Sequence, residues 1–277
     1  MHTKVKEKAE LLHRLHDPAH PLALANAWDA ASARLVEAAG GSAVATTSAG
    51  VSWSLGVPDG NLLDRDEALK LIARIVKAVD VPVSADIENG IGDTPDEVAA
   101  TVTGVIEAGA AGVNIEDSHS AGPGGLRLQS EQSDRLAAAR SAAAALGVPL
   151  FLNARVDTFL RGVGETPAKR LDETLARAQS YVDAGASGIF VPGVLDPQTI
   201  TELVKSITVP LNIIAMPGAP SVRELSGLGV ARVSLGPRIA MAAYAVAWHA
   251  ARDLIAGDYP EPLAPYANLN ELLSPRG

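Results

Sequence analysis

The sequence contains no cysteine, and this absence removes several kinds of site at once. A chain without thiols forms no disulfide, holds no metal through sulfur and uses no cysteine as a catalytic acid or nucleophile. The absence fits a reducing compartment, and we expect a cytoplasmic protein. No signal peptide is indicated, because the opening MHTKVKEKAELLHRLH alternates charges with leucines at helical spacing. This pattern predicts a surface helix over about residues 3–17.

Basic clusters, aromatic residues and long apolar runs are scarce as well. Only 4% of the residues are aromatic, and the formal net charge is -9. An acidic chain repels phosphate backbones, and no Lys and Arg cluster is interleaved with aromatics, so we exclude nucleic acid as a main partner. The most apolar late stretch, residues 239–248, falls short of the roughly 18 residues that a membrane span requires. We therefore expect no membrane partner and predict a buried helix there.

Small aliphatic residues are abundant, and they form a repeating pattern. Short β-type runs alternate with Ala- and Leu-rich helical stretches that end in glycine, as at Gly109 and Gly185, which fits a left-handed helix cap. Parallel pairing and right-handed crossovers then favour a closed barrel, with a doubly wound open sheet as the alternative. We predict an α/β fold, a (β/α)₈ TIM barrel, forming a single domain over residues 1–277. The eight predicted strands are residues 22–27, 42–46, 81–86, 112–116, 149–155, 188–192, 209–215 and 231–236.

A C-terminal extension over about residues 256–277 follows the last predicted strand and helix. It combines prolines with a short apolar helical piece, NLNELL. We expect this extension to pack outside the barrel, with a frayed tail as the alternative.

Acidic residues follow three of the predicted strands, at the barrel end where catalytic groups collect. Asp86 and Glu88 end the third strand, and in an extended chain their carboxylates would point to the same face and repel each other. Glu116 ends the fourth strand, and Asp59 follows the second. Hard oxygen donors without clustered histidines favour Mg²⁺, or Mn²⁺, as the counter-ion. We predict a metal site at these four acids, with solvated strand ends as the alternative.

Arg155 leaves the fifth predicted strand and enters this acidic mouth. Its forked guanidinium suits a substrate carboxylate, which it can bind through two parallel hydrogen bonds. A structural ion pair with Asp157 or Glu116 is the alternative, because such pairs also occur at strand ends.

The TTSAG run, residues 46–50, places small residues where the second strand ends. Successive backbone amides can approach an oxyanion there, which predicts an anion-binding turn. Ser48 as a nucleophile would require a base. His119 is the one histidine in a candidate active-site loop, and it stands at no recognisable triad spacing.

Seven segments together resemble those of the isocitrate lyase and phosphoenolpyruvate mutase superfamily. In order they are ANAWDAASARL, TTSAG, DIENGIGD, GVNIEDS, NARVDTF, GIFVPGV and PLNIIAMPGAPS, spanning about residues 22–240. The resemblance implies a barrel whose last helix is swapped between subunits of a homotetramer, a dimer of dimers, with Mg²⁺ beside a small 2-oxo acid. It also implies chemistry next to a carbonyl, through an enolate that metal and backbone donors stabilise.

The resemblance assigns roles to individual residues of this sequence. It implies one direct metal ligand and three acids that hold its waters, which are Asp86 and then Asp59, Glu88 and Glu116. It implies a set of substrate-binding residues, which are Trp28, Ser48, Ala49, Gly50, Arg155 and Asn212. The catalytic residues that we predict are Arg155, Glu116 and Ser48.

The loop after the fourth predicted strand departs from the superfamily's pattern. Residues 118–131 read SHSAGPGGLRLQSE, without the Lys-Lys/Arg-Cys-Gly-His motif whose Cys is the acid in isocitrate and methylisocitrate lyases. The Lys and Asn that phosphonate mutases and hydrolases carry in this loop are also missing. We therefore predict that the protein is not a Cys-dependent isocitrate or methylisocitrate lyase. Arg127, the loop's one cation, either closes on a substrate or is an ordinary surface residue.

The sequence therefore predicts a Mg²⁺-dependent carbon–carbon lyase or phosphonomutase-like enzyme that acts on a small 2-oxo or 2-hydroxy carboxylic acid. A first alternative is a regulatory protein that binds a 2-oxo acid without turnover. A second alternative is activity like that of phosphonopyruvate hydrolase or of the folate-dependent ketopantoate hydroxymethyltransferase.

Overall fold

The computed structural model describes residues 2–60, 62–119, 122, 125–258 and 266–274, apart from the side chains of 266 and 267. Nine strands lie in this part of the chain: β1 (Leu22–Leu24), β2 (Asn26–Ala27), β3 (Val44–Thr46), β4 (Val83–Asp86), β5 (Gly112–Glu116), β6 (Phe151–Arg155), β7 (Gly188–Phe190), β8 (Leu211–Ile214) and β9 (Arg232–Ser234). The helices are α1 (His2–Leu15), α2 (Ala30–Ala38), α3 (Ser48–Ser54), α4 (Arg65–Ala78), α5 (Pro95–Glu107), α6 (Gln129–Ala145), α7 (Thr158–Arg161), α8 (Pro167–Asp183), α9 (Pro197–Ser206), α10 (Val222–Gly227), α11 (Arg238–Ile255) and α12 (Tyr266–Leu273).

The strands form one parallel sheet in the order β1-β9-β8-β7-β6-β5-β4-β3-β2. Because only Ala25 separates β1 from β2 in the chain, the two ends of this sheet meet and the sheet curves into a nearly closed barrel. The predicted (β/α)₈ barrel is therefore confirmed. The predicted first strand, residues 22–27, is split at Ala25 into a part that pairs with β9 and a part that pairs with β3.

Asn26 fastens the seam where the first and last barrel strands meet. Its side-chain Nδ2 donates to the carbonyl of Thr46 at 2.9 Å, and its Oδ1 accepts from the backbone amides of Leu235 at 3.0 Å and Gly236 at 2.9 Å. One buried side chain thus joins three strands where the backbone ladder is interrupted.

Local sequence signals explain where the helices begin and end. Thr94 caps α5 by accepting from the amide of Glu97, whose carboxylate accepts from the Thr94 amide in return, and Pro95 takes the first helical position. The predicted glycine caps are confirmed at Gly109 and Gly185, whose φ angles of 95° and 101° a residue with a side chain rarely adopts.

The helix α1 covers the amino-terminal end of the barrel. Leu12 is fully buried, and the ring of His16 stacks on that of Phe151 with 3.8 Å between their centroids. Phe151 begins β6, so the barrel interior is closed with apolar and aromatic groups at this end. The opposite end remains open for a ligand.

The helix α11 was expected to be buried, and this expectation is wrong for the single chain. Of its residues only Ala240 is buried, while Tyr244 is 40% exposed, Trp248 63% and Ile255 87%. The sequence indicates that a helix is apolar, but it does not indicate what covers the apolar side chains. The outward-facing Ala23 of β1 is exposed too, although both faces of parallel strands are normally covered.

The extension predicted over residues 256–277 is described in part. Residues 259–265 and 275–277 lie outside the described residues, and α12 contacts α2 on the outside of the barrel. Arg34 of α2 donates to the carbonyls of Leu272 and Ser274. Among the helices of the described segments, none is long and apolar enough to cross a membrane.

Candidate active site

A cavity of about 310 Å³ opens at the carboxyl ends of the strands. This is the end of an α/β barrel at which active sites form. Its polar lining includes Ser48, Asp59, Ser84, Asp86, Asn114, Arg155 and Arg232. The cavity therefore brings together residues that lie far apart in the sequence, and four of them were predicted as site residues.

Asp86, the last residue of β4, is held from both neighbouring strands. Its Oδ2 accepts from the amide of Ser48 at 3.0 Å and from the Ser48 hydroxyl at 2.8 Å. Its Oδ1 accepts from Asn114 Nδ2 at 3.1 Å, and its own amide donates to Thr46 Oγ1 at 2.7 Å. The carboxylate is thus fixed in orientation, and the Ser48 amide of the TTSAG turn is engaged by the protein itself.

Glu88 does not continue the strand that carries Asp86. Its φ of 52° and the φ of 48° at Ile91 place both residues in the left-handed region, so the premise of an extended chain fails at Glu88. Glu88 is buried beside a small pocket that Asp86 and Ser48 also line, next to the main cavity. Arg135 secures this turn because its Nη2 donates to the carbonyls of Asn89 and Gly92.

Arg155 forms the ion pairs of the structural alternative and also lines the cavity. Its Nη1 lies 2.7 Å from Glu116 Oε2, its Nε donates to Asp157 Oδ1 at 2.6 Å, and its Nη2 donates to Asp157 Oδ2 at 2.9 Å. The same side chain lines the cavity and lies over the ring of Phe190 at 5.8 Å. Burial alone would lower the pKa of Arg155, but Glu116 and Asp157 outweigh this effect and raise it.

Two further predicted acids have pKa values displaced upward, namely Asp59 in the cavity and the buried Glu116, which is not among the residues that line it. Burial raises the pKa of Glu116, and the charge of Arg155 opposes this rise. Burial and the nearby Asp86 likewise raise the pKa of Asp59, which lines the cavity. In the described segments no three His, Cys, Asp or Glu side chains are grouped closely enough to hold a metal ion by themselves. A cation here would thus be bound by few protein ligands and several waters.

Asp117, which the sequence analysis did not single out, supports Arg155 from behind. Its Oδ1 accepts from the amide of Asp157 at 2.9 Å, and its Oδ2 accepts from Tyr181 Oη at 2.8 Å and Arg177 Nη1 at 3.2 Å. Burial raises the pKa of Asp117 to about 6. The pair Arg177 and Tyr181, four residues apart on α8, was the available signal, because that spacing places both side chains on one helix face.

A layer of asparagines lies beneath the mouth. Asn153 Nδ2 donates to Asn114 Oδ1 at 3.1 Å and to Asn212 Oδ1 at 3.2 Å. Asn212 in turn donates to the Arg232 carbonyl at 3.2 Å and to Ser234 Oγ at 3.2 Å. The predicted substrate residue Asn212 thus lies in a buried network, and it is not among the residues that line the cavity.

Of the remaining predicted substrate residues, one lines the cavity and two pack behind it. Ala49 lines the cavity, whereas Trp28 and Gly50 lie behind it. A Cβ at Gly50 would stand 2.9 Å from the Trp28 Cβ and 3.1 Å from the Ala240 Cβ. Trp28 also lies 6.3 Å from the ring of Tyr244. Gly50 therefore allows the start of α11 to approach the barrel closely.

The described part of the loop that follows β5 does not reach the cavity. Neither His119 nor Arg127 lines it, while residues 120, 121, 123 and 124 lie outside the described residues. Arg127 is buried and its Nη2 donates to Asp93 Oδ1 at 2.6 Å. The alternative of an ordinary surface residue is therefore wrong for Arg127, because its side chain is only 6% exposed and reaches the exposed Asp93 from a buried position.

The sequence is similar to those of known proteins. The family model described as phosphoenolpyruvate phosphomutase matches residues 12–255. An uncharacterised protein of Mycobacterium tuberculosis H37Rv is 40% identical over 263 residues, which cover 94% of this chain and 95% of that protein. The 2-methylisocitrate lyase of Escherichia coli K12 is 35% identical over 192 residues, covering 66% of this chain and 60% of the lyase.

Solved structures show the same architecture. A Burkholderia cenocepacia protein provisionally called a phosphonomutase superposes with a TM-score of 0.85 at 41% identity, covering 90% of this chain and 99% of that one. Phosphonopyruvate hydrolase in complex with oxalate and Mg²⁺ superposes with a TM-score of 0.83 at 27% identity, covering 96% and 94% of the two chains.

Proposed function

Because the chain belongs to the phosphoenolpyruvate phosphomutase family, we propose that it is a Mg²⁺-dependent enzyme that makes or breaks a C–C or P–C bond in a small 2-oxo or 2-hydroxy carboxylic acid. One observation carries the proposal. The immobilised carboxylate of Asp86 and the guanidinium of Arg155 line the same cavity at the catalytic end of the barrel.

The donors of the cavity fit Mg²⁺. They are hard oxygens, and a single well-oriented carboxylate with further acids at a distance suits an ion that keeps most of its waters. Asp86 would bind the ion directly, while Asp59, Glu88 and Glu116 would hold its waters. When bound, Mg²⁺ supplies positive charge that stabilises the negative charge developing on a substrate oxygen. The complex of phosphonopyruvate hydrolase with oxalate and Mg²⁺ supports this proposal.

Arg155 orients the substrate in this proposal. Its guanidinium plane is set by Asp157 and Glu116, so little rotational freedom is lost when a carboxylate or enolate oxygen binds. Ser48 keeps Asp86 in place through its amide and hydroxyl. Glu116 holds Arg155 from the other side through the ion pair between Arg155 Nη1 and Glu116 Oε2.

A non-catalytic 2-oxo-acid-binding protein is the second candidate, and the loop after β5 favours it. The described residues of this loop contribute nothing to the cavity, and Arg127 is held away from it by Asp93. A binding protein needs Asp86 and Arg155 but no acid or base above them. Turnover therefore decides between the two candidates.

The experiment uses the purified chain with pyruvate, oxaloacetate, 2-oxoglutarate and a panel of phosphonates. We expect Mg²⁺-dependent thermal stabilisation by at least one compound, its loss in Asp86→Asn, and product in the same mixture by NMR. Asp258→Asn, outside the cavity, is the control and should behave as the wild type. Absence of any Mg²⁺-dependent effect would remove both candidates, whereas stabilisation without product would favour the binding protein.

We also propose that the chain forms homotetramers in which α11 packs on a neighbouring subunit. The exposed apolar side chains of this helix and the uncovered Ala23 of β1 support the proposal. Replacing Trp248, which is 63% exposed, by Glu should reduce the molar mass measured by light scattering. A wild-type monomer at micromolar concentration would contradict the proposal, and the exposed Leu62→Glu should leave the mass unchanged.

A further inference from the structure

Arg232 is a buried cation inside the barrel that no part of the proposed function uses. It begins β9, its side chain is among those that line the cavity, and the residue is only 3% exposed. Its backbone takes part in the β8–β9 ladder, so the position of its Cα is fixed. The sequence offered one signal that was missed, a lone arginine within the otherwise apolar strand ARVSLG.

The guanidinium of Arg232 lacks the partners that other buried arginines of this protein have. Its Nε and Nη1 are buried without a hydrogen-bond partner among the described residues, and no carboxylate of that part of the chain lies within ion-pair distance. Burial lowers the pKa of Arg232 to about 10, and Asp86 is the acid that opposes this effect. By contrast, Arg155 is bonded to two carboxylates.

An unpaired charge inside a barrel is costly to the folded state. A charge without a partner inside a protein has lost its hydration and has no opposite charge to compensate for that loss. The Arg232 side chain nevertheless lines the cavity. A bound anion would provide the missing acceptor.

We propose that Arg232 forms an anion subsite in the cavity that binds the second carboxylate of a small dicarboxylic acid whose 2-oxo acid end lies at Asp86 and Arg155. The inference deepens the proposed function and rests on it for the first end of the ligand. It assigns the substrate to the dicarboxylates instead of the monocarboxylates.

A second donor without a partner in the same cavity favours a carboxylate over water alone. Ser84 also lines the cavity, and its hydroxyl is buried without a hydrogen-bond partner in the described chain. An acceptor with two oxygens can take a guanidinium in the forked, two-bond geometry and still accept from a hydroxyl. The neighbouring Asn212 side chain is already committed to backbone and Ser234, so it does not compete for the anion.

Arg238 provides a sharp comparison. It also lines the cavity, it stands at the first position of α11, and its Nε is buried without a hydrogen-bond partner in the described structure. Arg232→Met and Arg238→Met are matched neutral substitutions of similar length. If the second carboxylate binds at Arg232, only the first of these variants loses the preference for dicarboxylates.

The first arm of the test uses Mg²⁺ and compares oxaloacetate with pyruvate by rapid thermal-shift titration. We expect the wild type to bind oxaloacetate more tightly, and Arg232→Met to lose about 10-fold or more of that preference while pyruvate binding changes less than about 3-fold. Arg238→Met should keep the preference. Equal weakening of both acids in Arg232→Met, equally tight binding of both acids by the wild type, or loss of the preference in Arg238→Met would each overturn the proposal.

The second arm omits the metal and compares malonate with acetate, which separates this inference from the proposed function. Malonate should raise the melting temperature of the wild type and of Asp86→Asn but not of Arg232→Met. If neither acid bound in the presence of Mg²⁺ while malonate behaved as expected in this arm, the Mg²⁺-dependent enzyme would be refuted and the subsite would stand. Without ligand, Arg232→Met should melt no lower than the wild type, because an unpaired buried charge is removed. A marked loss of stability would mean that Arg232 is structural and would overturn the subsite.

Discussion

Arg155 and Asp157 are joined by two parallel hydrogen bonds, Nε to Oδ1 at 2.6 Å and Nη2 to Oδ2 at 2.9 Å. Only Val156 separates them, and its fully buried side chain fixes the backbone between the pair. The arginine is therefore oriented before any ligand arrives, which reduces the entropy that binding must overcome.

Replacing Arg155 by Lys should reduce turnover by about 100-fold or more, because an ammonium cannot reproduce the planar fork held by Glu116 and Asp157. Steady-state rates on the compound that the wild type converts measure this effect. The control is Arg140→Lys, since Arg140 also makes three hydrogen bonds, to Gly185, Leu150 and Ser187, away from the cavity. A variant at Arg155 that kept more than half of the rate would show that the fork is dispensable.

Replacing Tyr181 by Phe should cost about 1–3 kcal/mol of unfolding free energy, because Asp117 loses a donor inside the protein. The rate constant kcat should fall more than KM changes, since Asp117 positions Asp157 and thereby Arg155. Urea denaturation and steady-state kinetics measure the two effects. Tyr244→Phe, at an exposed tyrosine, should alter neither. Equal stability of Tyr181→Phe and the wild type would contradict the role of this network.

Replacing Gly50 by Ala should destabilise the fold by about 1–3 kcal/mol. The new Cβ would lie 2.8 Å from Thr47 Cγ2, 2.9 Å from Trp28 Cβ and 3.1 Å from Ala240 Cβ, so the side chains of Thr47 and Trp28 and the start of α11 must move. Gly227→Ala is the matched control, because nothing lies within 4 Å of its added Cβ. If Gly50→Ala kept its stability but lost ligand binding, Gly50 would be a substrate contact and not a packing position.

His16 should make the protein sensitive to acid. Burial, with help from the charge of Arg232, lowers the pKa of His16 to about 3, so between that pH and about 6.5 the unfolded chain binds a proton that the folded chain excludes. Stability from this residue is therefore complete above about pH 6.5 and is lost as the pH falls. Between pH 7 and pH 4 the loss should be about 3 kcal/mol.

The measurement compares the unfolding free energy of the wild type and of His16→Leu at both pH values. The variant should lose less stability than the wild type on acidification, and His20→Leu, at an exposed histidine, should follow the wild type. Parallel losses in the wild type and His16→Leu would show that His16 is not the responsible group.

The fold and the convergence of Asp86 and Arg155 were predictable because both follow from local patterns. Apolar runs mark strands, and a parallel barrel places whatever polar residue ends each strand at one mouth. The left-handed backbone conformation at Glu88, where the sequence predicted an extended strand end, was not predictable. Arg135 stabilises this turn through hydrogen bonds to carbonyls that lie 43 or more residues away in the sequence.

The environments of Arg127 and Arg232 could not be predicted from the sequence. The sequence presents each as a single basic residue, but the fold buries the first beside the exposed Asp93, and the barrel encloses the second without a hydrogen-bond partner for its Nε and Nη1 among the described residues. Their environments depend on contacts between distant segments, which composition and periodicity do not encode. The exposed face of α11 is a related case, because no described segment of the chain covers it.

Asn26 has a consequence for the order in which the fold assembles. Its hydrogen bonds to Leu235 and Gly236 span 209 and 210 positions of sequence. Contacts of such long range are slow to form, because most of the chain must be ordered before the two segments meet. Barrel closure at this seam is therefore a late step of folding, and an Asn26→Ala chain should accumulate an open, partly folded intermediate with an unpaired strand edge.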